Sequence, residues 1–394
     1  MASSPPPHRP LLSSKLPDIG VSIFSQMTLL AQETGAINLA QGFPDYDPPQ
    51  ELLAALARHA TTPGHQQYAP MPGLLRLRAA IAAQVSRLHA GAPAPDPATE
   101  ITITAGATEA LFAVLAAVVR PGDEVVVFEP AYDLYGPAIR LQGGVPRYVR
   151  LPAPHFRPDW DAVRRVLTPR TRLVMVNTPH NPSGAVFDAS DWAELARLLD
   201  GTDILVLSDE VYEHLVFDDA QHLSARQHPL LRERSFVLSS FGKTYHATGW
   251  KVGYCIAPPL LSAEVRRVHQ FLTFAVSTPT QHALADALET DSTDTHARGL
   301  AAFYQAKRDQ FRQLLADTGW ELLPVPGGYF QLARYAAFSP AGDLAFAETL
   351  ARDWGVAVVP VSAFYHDNFD EGLVRFCFAK EAATLTAATT RLRR

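Results

Sequence analysis

The chain of 394 residues, with a formal net charge of −6, is long enough for a large hydrophobic core in one large or two medium domains. The weak negative charge gives no electrostatic reason to expect nucleic acid or an acidic membrane as partner, so small molecules are the better expectation. Cys255 and Cys377 have no metal-type spacing and are too few for a disulfide framework, which predicts a reducing compartment and no metal centre. Because residues 1–10 lack the pattern of a secretion signal and no apolar stretch is long enough to span a membrane, we expect a cytoplasmic protein.

The region from Ile101 to Ile256 alternates short apolar runs with helical stretches, as in a parallel sheet with helices on both faces. The predicted strands are Ile101 to Thr104, Glu124 to Phe128, Arg172 to Asn177, Ile204 to Ser208, Phe236 to Ser239 and Gly253 to Ile256. The almost entirely apolar segment Ala107 to Val119 predicts a buried helix that Pro121 and Gly122 end. The fold class is therefore α/β.

The last third of the chain predicts a separate, smaller α/β layer. It contains a long helix, Leu300 to Asp317, followed by strands at Tyr329 to Ala333, Val356 to Val359 and Leu373 to Phe378. The predicted organisation is a disordered tail at residues 1–15, an N-terminal segment at 16–47 that joins the small domain, a large domain at 48–287 and the small domain at 288–394.

Polar residues that follow apolar strands are candidates for a ligand site, because ligands bind at the carboxyl ends of the strands in an open parallel sheet. The segment SSFGKTYHATGWKVG, Ser239 to Gly253, places Lys243 directly after a strand and among small residues. Burial there would lower the pKa of its amine and free it to attack an aldehyde. A Lys at such a position has a purely structural role in most proteins, so this position alone does not decide the matter.

The segment ILVLSDEVYEH places Asp209 after another apolar strand, where a carboxylate is costly unless it has a partner. The protonated ring nitrogen of a cofactor would be such a partner. The alternative is an Asp that caps the following helix.

Three further segments carry candidate residues. The turn TAGATE opens the apolar helix, and the free backbone N–H groups of Gly106, Ala107 and Thr108 could bind phosphate, although such turns are common. The turn NTPHNPSG contains Asn181 and needs no function to explain it. Arg375 lies in an otherwise apolar strand, where a carboxylate is the expected partner, either from a substrate or from an internal Asp or Glu.

Together these segments resemble the fold-type I, pyridoxal 5′-phosphate (PLP)-dependent aminotransferases of class I/II. The pattern Ser-x-x-Lys followed by Thr-Gly-Trp-Lys-x-Gly is specific, and the resemblance runs from about Leu16 to the C-terminus with all motifs in family order. It is greatest to the methionine aminotransferase branch, also called kynurenine or glutamine transaminase-like, which carries Lys where many relatives carry Arg at the position of Lys251. The implied fold is a large domain with a mostly parallel seven-stranded sheet between helices, plus a smaller α/β C-terminal domain.

The resemblance also implies a role for each candidate residue. Lys243 would hold the cofactor as a Schiff base, and Asp209 would pair with its ring nitrogen. The other implied cofactor contacts are Tyr212 and Asn181 to the phenolic oxygen, Gly106, Ala107, Thr108, Ser240 and Lys251 to the phosphate, Tyr132 to the ring, and Tyr68 to the phosphate of the opposite subunit of a homodimer. The implied substrate contacts are Arg375 and Gly42 to the α-carboxylate together with Asn181, and Phe24 and Tyr132 to the side chain. A core tyrosine is the alternative for Tyr132.

The expected activity is a ping-pong transfer of the amino group from an L-amino acid of methionine, glutamine or aromatic type to a 2-oxo acid. The alternatives are a PLP-dependent lyase that acts on cysteine S-conjugates and a catalytically silent PLP-binding regulator. Lys243, Asp209 and Arg375 are all present, which argues against the regulator. An NAD-binding protein is disfavoured because the chain lacks the GxGxxG turn.

Overall fold

The computed structural model describes residues 12–89, 91–291 and 294–393, so most of the predicted tail at residues 1–15 lies outside the described residues. Within them the α-helices are α1 (Ile23–Thr34), α2 (Gln50–Thr61), α3 (Leu75–Leu88), α4 (Gly106–Val118), α5 (Tyr135–Leu141), α6 (Trp160–Val166), α7 (Ala189–Leu199), α8 (Pro229–Arg232), α9 (Phe241–Thr244), α10 (Pro259–Leu272), α11 (Thr278–Thr290), α12 (Thr295–Leu314), α13 (Asp343–Thr349) and α14 (Ala382–Leu392). The strands are β1 (Ile37–Asn38), β2 (Ile101–Thr104), β3 (Glu124–Glu129), β4 (Val145–Arg150), β5 (Thr171–Asn177), β6 (Leu205–Asp209), β7 (Ser235–Ser240), β8 (Gly253–Ile256), β9 (Glu321–Leu322), β10 (Phe330–Arg334), β11 (Val356–Ala357), β12 (Val359–Pro360) and β13 (Leu373–Cys377).

A central seven-stranded sheet has the strand order β2-β8-β7-β6-β5-β3-β4. Its pairs are parallel except those of β8, which runs antiparallel to both β2 and β7. Every residue of β2, β3, β6 and β8 is buried, as expected for strands covered by helices on both faces. The predicted α/β fold with a mostly parallel sheet of seven strands is thus confirmed.

The strand β4 escaped prediction because its sequence, VPRYVR, lacks a continuous apolar run. It lies at the edge of the sheet, is only partly buried, and contains Pro146, a residue that argues against a central strand and is tolerated at an edge. The sequence pattern of an edge strand is weak because one side faces solvent.

A second layer contains the antiparallel sheet β12-β13-β10-β9 and the short parallel pair β1-β11. The prediction of one strand from Val356 to Val359 was wrong, because the segment divides into β11, which pairs with β1, and β12, which pairs with β13. All four residues of this apolar run are buried, so hydrophobicity alone could not show that the chain changes sheets between them.

The hydrophobic core of this second layer joins both ends of the chain. One cluster combines Met27 and Leu30 of α1 with residues of α12, α13 and α14, whereas separate clusters pack on the faces of the central sheet. These contacts support the predicted division into a large and a small domain, whose limits stay a prediction. A boundary at 287/288 would cut α11, so a boundary after that helix agrees better with the structure.

In the described parts of the chain, every helix is too short or too polar to cross a bilayer.

Candidate active site

A cavity of about 290 Å³ opens where β5, β6 and β7 end, at the edge of the sheet where ligands of open α/β folds bind. Its wall includes every site residue predicted from the sequence except Tyr68. These residues are Phe24, Gly42, Gly106, Ala107, Thr108, Tyr132, Asn181, Asp209, Tyr212, Ser240, Lys243, Lys251 and Arg375. Residues that are distant in the sequence therefore share one pocket, which holds a partly buried amine, a buried carboxylate and a buried guanidinium.

Lys243 lies in the one-turn helix α9, immediately after β7, and its side chain reaches across the cavity to the second layer. Its Nζ donates hydrogen bonds of 2.8 Å to Tyr329 Oη and 3.2 Å to the carbonyl oxygen of Gly42. Burial lowers the pKa of the Lys243 amine to about 8, since a low-dielectric environment disfavours the charged form. About a tenth of the amine is thus neutral and nucleophilic at pH 7, far more than for a lysine with an ordinary pKa.

Asp209 is the last residue of β6 and is buried in the cavity wall. Its Oδ2 accepts a 2.7 Å hydrogen bond from Tyr135 Oη, and its backbone carbonyl accepts one of 2.8 Å from the Asn177 amide. Burial raises the pKa of Asp209, whereas the hydrogen bond from Tyr135 and the charge of Lys243 act in the opposite direction. Among the described residues Asp209 has no basic side chain in ion-pair contact, so the carboxylate could receive a cationic group of a ligand.

Arg375, in the middle of β13, is 1 % exposed and is held by two neutral acceptors. One terminal nitrogen donates 2.8 Å to Asn181 Oδ1 and the other donates 2.8 Å to the carbonyl oxygen of Ala40. In the part of the chain that is described, no Asp or Glu forms an ion pair with it and its buried Nε has no partner, so the alternative of an internal ion pair finds no support. Burial lowers the pKa of Arg375 to about 10, which leaves the group a cation at neutral pH with no carboxylate at ion-pair distance among the described residues, although the charge of Asp133 acts on it from further away.

An anion site is built from the start of α4 and the segment that leads into β8. Gly106 adopts φ of 72°, a left-handed conformation that favours glycine, as the chain turns from β2 into the helix. Lys251 Nζ lies 3.3 Å from Thr108 Oγ1, above the first turn of α4. A helix N-terminus with unpaired N–H groups beside an ammonium group is suited to bind a phosphate.

Three of the aromatic residues in the cavity wall were predicted from the sequence. Tyr212 is buried at the start of the turn after β6, and burial raises the pKa of its hydroxyl group. Tyr132 packs edge-on against Tyr135 and burial raises its pKa to about 12, so its hydroxyl stays protonated. Phe24 of α1 packs edge-on against Phe364, with Arg375 Cζ 5.2 Å from its ring centre.

Tyr68 does not join this cavity within one chain. Its side chain is 84 % exposed and its ring contacts only Phe274 among the aromatic residues described. A role at the active site would therefore require a second copy of the chain, as the predicted homodimer does.

The residues missed from the sequence include Tyr135, Asn177 and Phe330 in the cavity wall, and Tyr329, which accepts a hydrogen bond from Lys243. Asn177 ends β5 and Tyr135 begins α5, and each lies close in the sequence to a residue that was predicted. Their proximity to those motifs is the signal from which they could have been predicted. Tyr329 and Phe330 come from the second layer, and only the folded structure shows that this layer closes the cavity.

Comparison with known proteins identifies the family of this chain. Residues 34–392 match the aminotransferase class I and II family. Methionine aminotransferase of Escherichia coli is 51 % identical over 98 % of this chain and 99 % of its own length, and its crystal structure superimposes with a TM-score of 0.94. N-succinyldiaminopimelate aminotransferase of Mycobacterium tuberculosis is 39 % identical over 97 % of this chain and 99 % of its own, with a TM-score of 0.92. The mouse kynurenine–oxoglutarate transaminase 1 is 34 % identical over 97 % of each chain.

The chain belongs to the class I and II aminotransferases. It is an enzyme that transfers amino groups, and its relatives support this activity rather than the lyase alternative.

Proposed function

We propose that this aminotransferase holds PLP on Lys243 and uses it to exchange the amino group of methionine, glutamine or an aromatic amino acid with a 2-oxo acid. The observation that carries the proposal is the placement of Lys243, Asp209 and Arg375 in one cavity, with Asp209 and Arg375 buried, Lys243 partly buried and none of them in an ion pair among the described residues. An amine in this state can attack an aldehyde, and a carboxylate without an ion-pair partner can bind a ring cation. A guanidinium without an ion-pair partner can bind the carboxylate of a ligand.

The chain's own residues fit this cofactor. The N-terminus of α4, with Ser240 and Lys251, would hold the phosphate, while Asp209 would hold the ring nitrogen. Tyr212 and Asn181 would hold the phenolic oxygen, and Tyr132 would lie against the ring. When bound, the cofactor supplies an aldehyde carbon for the amino group and a ring that accepts the electrons released at the substrate Cα.

Lys243 is the group that moves protons. With its pKa lowered to about 8, its free amine can take the proton from the substrate Cα as a base and deliver it as an acid to the former aldehyde carbon of the cofactor. Tyr329 Oη and the Gly42 carbonyl would hold the amine in the cavity between these steps.

Arg375 would bind the substrate α-carboxylate. Its Nε has no hydrogen-bond partner, and its two acceptors are neutral, so its positive charge is not neutralised by them. Asn181 and Ala40 hold the plane of the guanidinium group in position. This fixes the orientation of the substrate, so that the Cα–H bond can stand perpendicular to the ring.

The side-chain end of the cavity favours an uncharged or aromatic donor. Phe24, Tyr132 and Phe330 line it, and Arg375 is the only Arg in the described wall, so no second guanidinium there could bind a side-chain carboxylate. The methionine aminotransferase and kynurenine transaminases among the relatives support this preference.

We also propose that the enzyme is a homodimer in which Tyr68 reaches the phosphate in the partner's site. A cytoplasmic location is a further part of the proposal. The exposure of Tyr68 supports the first. Mixed dimers formed from a Tyr68→Phe variant and a Lys243→Ala variant test it, because one of the two sites in such a dimer carries neither substitution and should regain activity.

The main experiment is borohydride reduction of the cofactor-loaded enzyme followed by peptide mapping, together with single-turnover rates for methionine and aspartate. We expect the label on Lys243 and a faster reaction with methionine. A label elsewhere would overturn the cofactor assignment, and an aspartate preference would overturn the substrate assignment.

A further inference from the structure

Three histidine side chains meet on the surface of the large domain, away from the cavity. His59 lies in the last turn of α2, His65 follows in the next loop, and His282 lies in α11, the helix that packs on α2. Each offers a ring nitrogen, and these nitrogens all lie within 4.8 Å of one another. No spacing in the sequence revealed this cluster, since His282 is more than 200 positions from the other two.

The His59 ring is held in one orientation. Its Nε2 lies 2.8 Å from Asp286 Oδ2, and the residue is only 8 % exposed. A histidine with one ring nitrogen bound to a carboxylate has its other nitrogen directed and made more basic, which is the usual arrangement behind a metal-ligating histidine. The other ring nitrogen, Nδ1, lies 3.1 Å from Nδ1 of His65, within hydrogen-bond distance.

That nitrogen pair has the separation of two ligands of one metal ion. Two nitrogens at 2.0–2.1 Å from a tetrahedral Zn²⁺ lie about 3.3 Å apart. Without an ion, one nitrogen must carry a proton and the other must not, and protonating both would place two like charges in contact. A divalent cation would satisfy both lone pairs at once.

His282 would supply the third nitrogen. Its ring is stacked on that of His65 with centroids 3.8 Å apart and an angle of 8°. Parallel rings cannot both direct a lone pair at one ion, so binding requires the partly exposed His282 ring to turn out of the stack. The partial exposure of His65 and His282 leaves room for a water as fourth ligand.

The charges around the cluster are balanced. Arg58 and Arg76 both contact Asp286, and Arg76 also contacts Glu289, so two guanidinium groups face two carboxylates beside the rings. The hydrogen bonds of these arginines go to the carboxylates, so the guanidinium groups do not occupy the facing Nδ1 atoms of His59 and His65.

We propose that His59, His65 and His282 form a binding site for a zinc-like divalent cation, with Asp286 as the group that orients His59. Three imidazoles select borderline ions such as Zn²⁺ over Mg²⁺ or Ca²⁺, which prefer oxygen ligands. The site would link α2 and α11 to the loop that leads to Tyr68, because Thr278 at the start of α11 already donates a 2.6 Å hydrogen bond to the Gln67 carbonyl. It does not depend on the proposed function.

The test is a titration of the cofactor-loaded, chelator-treated enzyme with Co²⁺ and Zn²⁺. We expect about one Co²⁺ per chain with the visible bands of a tetrahedral nitrogen site, displaced by Zn²⁺ and not by Mg²⁺. His59→Gln and His282→Ala should abolish these bands, whereas His155→Ala, at an exposed position elsewhere, should keep them.

Asp286 provides a second arm. Asp286→Asn should weaken Zn²⁺ binding about 10- to 100-fold, whereas Glu289→Gln, which removes only the other partner of Arg76, should leave it unchanged. Far-UV circular dichroism serves as the folding check for every variant, so this check does not rely on the proposed cofactor. Absence of Co²⁺ binding in the folded wild type, or equal binding by the His59→Gln variant, would overturn the proposal and leave a hydrogen-bonded histidine cluster.

Discussion

Tyr135 Oη donates a 2.7 Å hydrogen bond to Asp209 Oδ2, and both side chains are buried. Tyr135 begins α5 and Asp209 ends β6, so the bond joins two elements of the large domain at the base of the cavity. Because burial by itself raises the pKa of Asp209, this donor is one of the groups that favour the ionised carboxylate. The strength of the proposed anchor for the ring nitrogen depends on that ionisation.

Tyr135→Phe should therefore weaken cofactor binding. Loss of a hydrogen bond to a charged group costs about 1.5–3 kcal/mol, or about 10- to 100-fold in the dissociation constant of PLP. Titration of the cofactor-free variant by absorbance measures it, and Tyr148→Phe, at a tyrosine outside the cavity wall, is the control. An unchanged dissociation constant would show that Tyr135 does not support the anchor.

Lys243 should capture the cofactor in a pH-dependent manner. Only the neutral amine attacks an aldehyde, and its pKa is lowered to about 8. The rate of reconstitution of the cofactor-free enzyme should rise about tenfold per pH unit below that value and level off above it. Stopped-flow absorbance from pH 6 to pH 10 measures this, and a rate that rises only near the ordinary pKa of lysine would contradict it.

The same shift predicts how the stability of the cofactor-free protein depends on pH. Between about 8 and the ordinary value of 10.5, the unfolded chain binds a proton at Lys243 that the folded chain does not. Stability rises with pH wherever the unfolded state binds more protons, so this contribution to the free energy of unfolding grows across that window and is flat outside it. Urea unfolding of wild type and Lys243→Met checks the sign: the wild type should gain on the variant as the pH rises from 8 to 10.5, and parallel curves would contradict the burial of the charge.

Arg375→Lys should impair recognition of the α-carboxylate more than the chemistry. The substitution keeps a positive charge but loses the planar pair of donors that contact Asn181 and Ala40. We expect kcat/KM for methionine to fall about 30-fold or more, the equivalent of about 2 kcal/mol, mainly through KM.

The matching measurement uses 3-(methylthio)propylamine, which is methionine without its carboxylate. Its slow half-reaction should be almost unaffected by Arg375→Lys, and Arg334→Lys in β10 is the control outside the cavity wall. An equal loss with both substrates would indicate a structural role for Arg375.

Most of the central sheet and most of the candidate site could be predicted from the sequence, because the site residues stand directly after the strands. Lys243, Asp209 and Asn181 each stand after a buried apolar run. The local sequence pattern there also shows where the residue lies in the sheet. Tyr329 was beyond reach, since its contact with Lys243 spans two layers and no local pattern records it. The lack of an ion pair at Arg375 among the described residues was equally hidden, because a sequence shows which charges exist and not which of them meet.

Gly253→Ala should disturb the anion site and the fold together. A Cβ at Gly253 would lie 2.6 Å from the Ser239 carbonyl oxygen and 2.9 Å from the backbone nitrogen of Ala107. Neither backbone atom can yield without separating β8 from β7 or shifting the first turn of α4, whose N–H groups face the proposed phosphate site. We expect a loss of about 1–3 kcal/mol in the free energy of unfolding, typical of overpacking, and weaker binding of both PLP and inorganic phosphate.

Gly249→Ala is the matched control, because a Cβ there has no atom within 4 Å. Thermal unfolding and phosphate competition on the two variants would contradict this account if they changed to the same extent.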